Sequence, residues 1–402
     1  MPCRRRFPII ACLLLLAFWC YSPPAIAATI KIGEINSLTG KLAKQGVETH
    51  QGVAVAVAEV NAMGGLLGRQ VELITRDDQS LPDVAISRAE ELCGWKKVLG
   101  LTGGYGDSRV GPISEVAKKY KVPYVASASL QRELTRRENP YFFRVARLQG
   151  FVQPLCNLLS ERLRPERLAI LHAASAGSTE FAQDLKDCLR SRGVIARAME
   201  KFRPGTPDFT PLIGKLASMN IDIIVSGGFF ADHLLLVRQL KENRVSPKAY
   251  IGPFGIAYES FIAEMGEDAE YLYSTSAWNP GITQPGTESI SEAFVRNFRS
   301  MFKREPNTTN MHGYTSTRVL LTALENVLRQ KKPLSGPNIC QALREIDLLL
   351  PMERVTFDKQ GDPLHYRHFV VQIQNGRLQV VYPPRRATAE TIYPMPKWSQ
   401  RK

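Results

Sequence analysis

The sequence predicts an α/β protein made of two doubly wound, Rossmann-like lobes. From Thr29 onward, short apolar runs alternate with longer segments of helical periodicity, which is typical of a parallel sheet covered by helices. The alternation starts afresh near Gly150, which indicates a second lobe. At 402 residues, the chain also exceeds the size at which one hydrophobic core usually stops growing.

Each lobe is predicted from its own alternation of segments. In the first lobe, strands are predicted at 30–35, 70–77, 98–102 and 124–126, and helices at 46–60, 81–93 and 113–120. In the second lobe, helices are predicted at 150–163, 179–192, 209–217 and 232–242, and strands at 167–172, 195–202, 221–226 and 249–252. Each set is enough for one doubly wound sheet.

The last third of the chain departs from this alternation. Two helical segments, 289–302 and 314–330, have no strand between them, so we expect them to pack on the sheet of the first lobe. Turn residues separate three short apolar runs, which predict antiparallel strands at 355–357, 369–373 and 378–382. From Pro383 onward we expect a loose, basic, proline-rich tail.

Two similar lobes with a chain that crosses between them more than once form a hinged clamp, and such proteins usually bind a ligand in the cleft. We expect lobe 1 to contain residues 28–145 and about 276–350. We expect lobe 2 to contain residues 146–275 and about 351–383, followed by a tail at 384–402.

The N-terminus has the features of a secretory signal. A basic segment at 1–6 precedes an apolar segment at 7–21, and small residues at Ala25 and Ala27 predict cleavage after Ala27. An uncleaved anchor is disfavoured, because about 15 apolar residues are few for a hydrocarbon core of about 30 Å. A lipid-modified Cys20 is also disfavoured, because bulky residues precede it.

Four of the seven cysteines remain after cleavage: Cys93, Cys156, Cys188 and Cys340. They are far apart and lack CxxC spacing, which excludes a cysteine-based metal ribbon. Export permits a disulfide, and Cys156 and Cys188 lie on the predicted helices that flank one strand. They are the pair to consider; the alternative is that both are free, buried thiols.

Composition and motifs argue against several other classes of protein. The formal charge of +14 falls to +11 once the three arginines of the signal are removed. The basic residues are dispersed without an aromatic stripe, so we expect no nucleic acid partner. The six histidines show no HxH or HExxH spacing, Gly103–Ser108 lacks the Lys-Ser/Thr of a P-loop, and GxSxG does not occur. We therefore expect no metal and no cofactor.

Several short motifs resemble those of the leucine/isoleucine/valine-type solute-binding proteins of ABC transporters, and they occur in the same order and spacing. They lie at 31–40, 61–69, 77–79, 122–129, 139–144, 207–212, 227–228, 238–239 and 357–362. The resemblance implies a type I periplasmic-binding fold with three interlobe crossings. It also implies a periplasmic protein without catalysis that delivers a small molecule to an inner-membrane ABC permease. We expect the protein to be a monomer.

In this family, hydroxyls and backbone amides of the first lobe hold an amino acid's carboxylate. The resemblance places the family's carboxylate-binding serine at Asp107, next to Ser108, and its second contact region at Ala128, Ser129 and Leu130. An ionised aspartate beside a ligand carboxylate is unfavourable unless it is neutralised. Either Ser108 takes over, or the ligand brings a donor, or Asp107 is a solvated loop residue; a pair with Arg109 is also conceivable.

The second lobe departs further from the family. Phe254 stands where the family usually has an acidic residue for the ligand's ammonium, and Gly177 stands where it often has an aromatic ring. A buried ammonium without a carboxylate is costly, so an α-amino acid is a doubtful ligand. Asp232 could substitute, but a helix-capping role is favoured.

The remaining candidate residues predict an aromatic, apolar cleft. They are Gln45, Tyr105, Phe229, Phe230 and Phe254, of which Phe230 is expected to belong mainly to the core. Such a cleft suits an amino acid-like solute, an amide, or an aromatic or apolar carboxylate. Two alternatives stay open: a ligand-sensing receptor component without transport, and an exported hydrolase that uses Asp107 or His172.

Overall fold

The computed structural model describes residues 28–401, so the predicted signal segment lies outside the described residues. Its first sheet is fully parallel, with the strand order β2-β1-β3-β4-β5. The strands are β1 (Ile30–Asn36), β2 (Val71–Asp77), β3 (Leu101–Tyr105), β4 (Tyr124–Ala128) and β5 (Phe142–Arg144). The helices between them are α1 (Ala43–Ala62), α2 (Pro82–Glu90), α3 (Asp107–Tyr120) and α4 (Glu133–Arg136).

The second sheet has the order β14-β13-β10-β9-β8-β6-β7, parallel from β7 to β10 and antiparallel at β13 and β14. Its strands are β6 (Leu168–Ala173), β7 (Ala196–Phe202), β8 (Ile223–Gly227), β9 (Ala249–Ile251), β10 (Tyr273–Ser276), β13 (Phe369–Gln374) and β14 (Arg377–Tyr382). A separate antiparallel pair consists of β11 (Leu348–Leu349) and β12 (Arg354–Val355). The associated helices are α5 (Gln149–Leu158), α6 (Ala176–Ser191), α7 (Thr210–Ser218), α8 (Phe230–Glu242) and α9 (Glu259–Met265).

Three helices that follow β10 pack on the first lobe. They are α10 (Glu288–Phe302), α11 (Thr308–Arg329) and α12 (Gly336–Arg344). The sequence predicted this for the helical segments 289–302 and 314–330, and it did not predict the third helix. Helices α1 and α11 approach through two glycines. A Cβ at Gly52 would lie 1.8 Å from Asn310 O, and a Cβ at Gly313 would lie 2.1 Å from Thr49 O. Side chains at either position would therefore push the helices apart.

The chain passes between the lobes at three places: from β5 to α5, from β10 to α10, and from α12 to β13. The predicted fold, with two doubly wound lobes and three crossover segments, is confirmed. No helix within residues 28–401 is both long and apolar enough to span a bilayer.

Two details near the cleft differ from the sequence prediction. Strand β3 continues through Gly103 and Gly104, whose φ values are +83° and +85°. Gly104 allows close approach, because a Cβ there would lie 2.1 Å from the Tyr124 hydroxyl. Helix α3 begins at Asp107 rather than near Ile113, because it tolerates Pro112 within its length. As a result, β3 passes into α3 through Gly106 alone, at the carboxyl edge of the sheet.

The predicted loose tail is wrong, because the residues after Pro383 pack on lobe 2. The carbonyl of Ile392 accepts hydrogen bonds from the Tyr273 hydroxyl and from Gln372 Nε2, at 2.9 and 2.8 Å. Trp398 Nε1 donates to Val245 O at 2.7 Å, and Met395 is buried. Apolar residues among the prolines thus tie this segment to the lobe surface.

Of the two alternatives for the cysteines, the structure shows the disulfide. It joins Cys156, on α5, to Cys188, on α6, across 32 residues of sequence. Cys93 and Cys340 are free and buried. Helices α5 and α6 pack side by side in lobe 2, and the disulfide links them covalently.

Candidate functional site

The carboxyl ends of the parallel strands in both lobes are where an open α/β sheet presents its ligand-binding loops. In lobe 1 these loops follow β1, β3 and β4. In lobe 2 they follow β6, β8 and β9. The structure brings the loops of the two lobes into contact, because Gly177 at the start of α6 lies against Asp107 at the start of α3.

Asp107 is bound by the protein itself. Its Oδ1 accepts hydrogen bonds from the backbone N–H groups of Leu130 and Gln131, at 2.7 and 2.9 Å. It is therefore not a solvated loop residue. The pair with Arg109 is also not formed: that guanidinium donates to Tyr105 O at 2.9 and 3.2 Å and to Ser108 Oγ at 2.8 Å.

Gly177 leaves no space for a side chain at the interlobe contact. A Cβ at this position would lie 2.4 Å from Asp107 Oδ2 and 3.3 Å from Leu130 Cβ. The first distance is far below van der Waals contact, so the lobes meet this closely only with glycine here.

Arg132 makes a second interlobe contact beside the first. Its backbone N–H donates to Glu180 Oε2 at 3.0 Å, and its guanidinium pairs with Asp184. Both acids lie on α6, so the loop after β4 holds the first three turns of that helix. Nothing in the sequence indicates this contact, because Arg132 and its partners on α6 are about 50 residues apart.

Among the other candidates in lobe 1, two are buried polar side chains without a partner. Gln45 is 2% exposed and Ser129 is 1% exposed, and within residues 28–401 neither Gln45 Oε1 nor Ser129 Oγ has a hydrogen-bond partner. Unsatisfied buried polar atoms are rare in folded proteins and often mark a ligand or water position. Ala128 ends β4 and is half-buried, and Ser108 is exposed.

Tyr105 ends β3 and is half-buried. Burial raises the pKa of its hydroxyl to about 12. The phenol is therefore neutral at any physiological pH and can donate as well as accept a hydrogen bond.

The aromatic candidates of lobe 2 are more buried than a simple cleft wall would be. Phe254 is 8% exposed and makes edge-to-face contacts with Phe151 and Phe181, each at 5.1 Å between ring centroids. Phe230 packs against Tyr258 and Phe261 in the lobe core. Phe229 stands just before α8 and is half-buried.

Asp232 caps α8. Its Oδ2 accepts the Phe229 N–H at 2.9 Å, and its Oδ1 accepts the Gly205 N–H at 2.8 Å. Burial raises the pKa of this carboxyl above its usual range, and the two N–H bonds oppose that rise. With both oxygens committed to the backbone, Asp232 has a structural role rather than that of an ammonium partner.

A buried polar chain, not anticipated from the sequence, joins the crossover segments. His312 Nε2 lies 2.8 Å from the Tyr366 hydroxyl, which lies 2.5 Å from His368 Nε2. His368 Nδ1 in turn lies 3.1 Å from the Thr275 hydroxyl. His312 lies on α11 and Thr275 lies on β10, whereas Tyr366 and His368 lie in the third crossing, just before β13. The contacts therefore connect the crossing segments between the lobes. Histidine spacing could not reveal it, because its members are distant in sequence.

Two α/β lobes, three crossings and contacting loops at the strand ends define a two-lobed solute-binding protein. The chain belongs to the periplasmic binding protein family, whose sequence pattern it matches over residues 29–377. The resemblance stated from the motifs is thereby confirmed.

Individual relatives agree with this assignment. The chain is 26% identical over 393 residues to Leu/Ile/Val-binding protein homolog 7 of Brucella abortus (strain 2308), covering 92% of this chain and 95% of that protein. It is 27% identical over 345 residues to the Leu/Ile/Val-binding protein of Escherichia coli (strain K12), covering 85% and 90%.

Solved structures share the fold. The branched-chain amino acid transporter substrate binding protein of Streptococcus pneumoniae, in complex with isoleucine, has a TM-score of 0.79 at 23% identity, covering 91% of this chain and 100% of that one. A solute binding protein of an ABC transporter from Rhodopseudomonas palustris, in complex with 3,4-dihydroxy benzoic acid, has a TM-score of 0.77 at 18% identity, covering 92% and 99%.

Proposed function

We propose that this chain is the extracytoplasmic solute-binding protein of an ABC importer of the branched-chain amino acid type. It binds a small solute between its lobes and presents it to an inner-membrane permease. The observation that carries this is the meeting of the segments after β3, β4 and β6, through Asp107, Leu130 and Gly177, in a protein whose lobes are joined by three crossings. Family membership supports it.

The proposed ligand class is broader than leucine, isoleucine and valine. It comprises amino acid-like solutes, amides and aromatic or apolar carboxylates. The proposed contacts are Gln45, Tyr105, Asp107, Ser108, Ala128, Ser129, Phe229 and Phe254. Similar structures hold both isoleucine and 3,4-dihydroxy benzoic acid, so this fold accommodates aliphatic as well as aromatic solutes.

The protein is proposed to act as a monomer in the periplasm, after removal of residues 1–27, without a cofactor and without catalysis. A hydrolase that uses His172 lacks support, because its Nδ1 lies 3.2 Å from Ala173 O and 3.3 Å from the Thr179 hydroxyl, both neutral groups of its own lobe. Asp107 is equally committed, to two backbone amides.

The test is a melting-temperature screen of the mature chain against amino acids, amides and aromatic acids. A true ligand raises Tm with a saturable dependence on concentration, because it binds the folded state alone. It also reduces the radius of gyration if the lobes close upon it. Absence of any stabilising solute would contradict the proposal, and permease and ATPase genes beside this one would favour transport over sensing.

A further inference from the structure

We infer that Asp107 is a built-in carboxylate that fills an anion-binding position of the cleft, so that the solute presents an uncharged group there. This inference rests on the proposed function, because it specifies the ligand of the same cleft. It goes further in excluding carboxylates from one end of that ligand.

The anion-binding position consists of two backbone N–H groups. Those of Leu130 and Gln131 converge on a single oxygen, Asp107 Oδ1, at 2.7 and 2.9 Å. Successive N–H groups that point to one place form a concave site for an anion. Because both already donate to Asp107, an external carboxylate would have to displace a covalently attached one.

The bonds of Asp107 are not those of an ordinary helix cap. Asp107 is the first residue of α3, and Gly106 occupies the cap position without a side chain. The carboxylate reaches instead to a loop 23 residues further along the chain. Arg109, two residues further along α3, does not compete for this carboxylate, because its guanidinium donates to Tyr105 O and Ser108 Oγ.

Lobe 2 closes over the same carboxylate. Asp107 Oδ2 faces Gly177, the second residue of α6, at a distance that leaves no room even for a methyl group. The N-terminus of a helix carries partial positive charge, so α6 stabilises a negative charge at this place. A second carboxylate brought to the same contact would be repelled by the first.

What remains for the ligand is neutral. Phe254 supplies no charge for an ammonium, and its ring packs between Phe151 and Phe181. The buried Gln45 Oε1 and Ser129 Oγ, which lack partners among the described residues, can bind a group that donates hydrogen bonds. The ligand class that fits is an uncharged apolar or aromatic compound with an amide or hydroxyl group.

The first test removes the built-in carboxylate and supplies a free one. In Asp107→Ala, sodium acetate at about 100 mM should raise Tm by roughly 2 °C or more relative to equal NaCl, with saturation, whereas wild type should not respond. The control is Asp187→Ala, since Asp187 is exposed and its carboxylate accepts from the Gln183 side chain rather than from converging backbone N–H groups. An equal acetate response in wild type or in the control would overturn the inference, as would no response in Asp107→Ala.

The second test uses wild type and Asp107→Ser with matched pairs, such as benzamide with benzoate and phenylacetamide with phenylacetate. Wild type should be stabilised by the amides, and the variant should gain affinity for the acids by about tenfold or more. A wild-type preference for the acids contradicts the inference even if both variants fail to fold. If wild type binds no solute while Asp107→Ala binds acetate, the proposed function fails and the role of Asp107 stands.

Discussion

The backbone N–H of Arg132, in lobe 1, donates a 3.0 Å hydrogen bond to the carboxylate of Glu180, in lobe 2. The guanidinium of the same residue pairs with Asp184, one turn further along α6. A single residue therefore links the loop after β4 to the helix that begins beside Asp107. The two lobes are therefore connected by these charged contacts as well as by the three crossings of the chain.

Arg132→Ala should shift the lobes toward the open arrangement. The ion pairs are partly exposed, so each contributes on the order of 0.5–1 kcal/mol, and the affinity for a stabilising solute should fall about two- to fivefold. Arg136→Ala is the matched control, because Arg136 is exposed on the same segment. Spin-label distances across the cleft would measure the shift, and identical distances in both variants would refute the role of Arg132.

Gly177→Ala should prevent full closure. The new methyl group would lie 2.4 Å from Asp107 Oδ2 and 3.3 Å from Leu130 Cβ. Because two backbone N–H groups hold Asp107 Oδ1, we expect the lobes to separate rather than the Asp107 side chain to move. We expect a larger radius of gyration in solution scattering. Gly214→Ala is the control. Apart from its chain neighbours and the adjacent backbone of α7, a Cβ on Gly214 would meet no described atom within 4 Å, and alanine should stabilise the helix by up to about 1 kcal/mol. Equal scattering by wild type and Gly177→Ala would contradict the prediction.

The sequence predicted most strands and helices that have apolar runs or clear periodicity, but it missed the short amphipathic helix α12 and strand β10. Strand β10, Tyr-Ser-Thr-Ser, is buried but has little apolar character. The sequence also marked Asp107 and Gly177 as two separate departures from the family. The structure shows that they touch, so the absence of a side chain at one accommodates the carboxylate at the other. Contacts between lobes depend on how the lobes are placed, which local patterns do not contain.

Stability should fall as pH drops from 6.5 toward 4. Burial lowers the pKa of His233 and of His312 to about 4, whereas in the unfolded chain both titrate near 6.5. The unfolded state therefore binds more protons in this window, and each histidine should remove about 2 kcal/mol between pH 7 and pH 5. His50 acts in the opposite direction, because its hydrogen bond to Glu34 raises its pKa.

Denaturant titrations at several pH values measure this slope. His233→Gln should flatten it, because glutamine keeps hydrogen-bonding capacity toward Tyr250 and Gly228 O without titrating. The exposed His365→Gln should leave the slope unchanged. Equal slopes in wild type and His233→Gln would show that the pKa of His233 is not lowered.

Glu353→Gln should stabilise the protein at neutral pH. Glu353 is 1% exposed, and within residues 28–401 neither carboxylate oxygen has a hydrogen-bond partner. Burial raises its pKa well above 4.5, so the folded state holds a proton that the unfolded state has released, and stability is lost as pH rises above 4.5. Glutamine removes this loss. We expect a higher Tm for Glu353→Gln at pH 8, little change at pH 4.5, and no effect of the exposed Glu345→Gln.

The most direct test of the central claim is a calorimetric titration of the mature wild-type chain with L-leucine, beside neutral aromatic amides. Asp107 occupies the two N–H groups that a ligand carboxylate would need, and Phe254 stands in place of the acid that would pair with an ammonium. We expect leucine to bind weakly or not at all, and at least one uncharged solute to bind with a saturable signal. Tight leucine binding, accompanied by a large rise in Tm, would contradict this account.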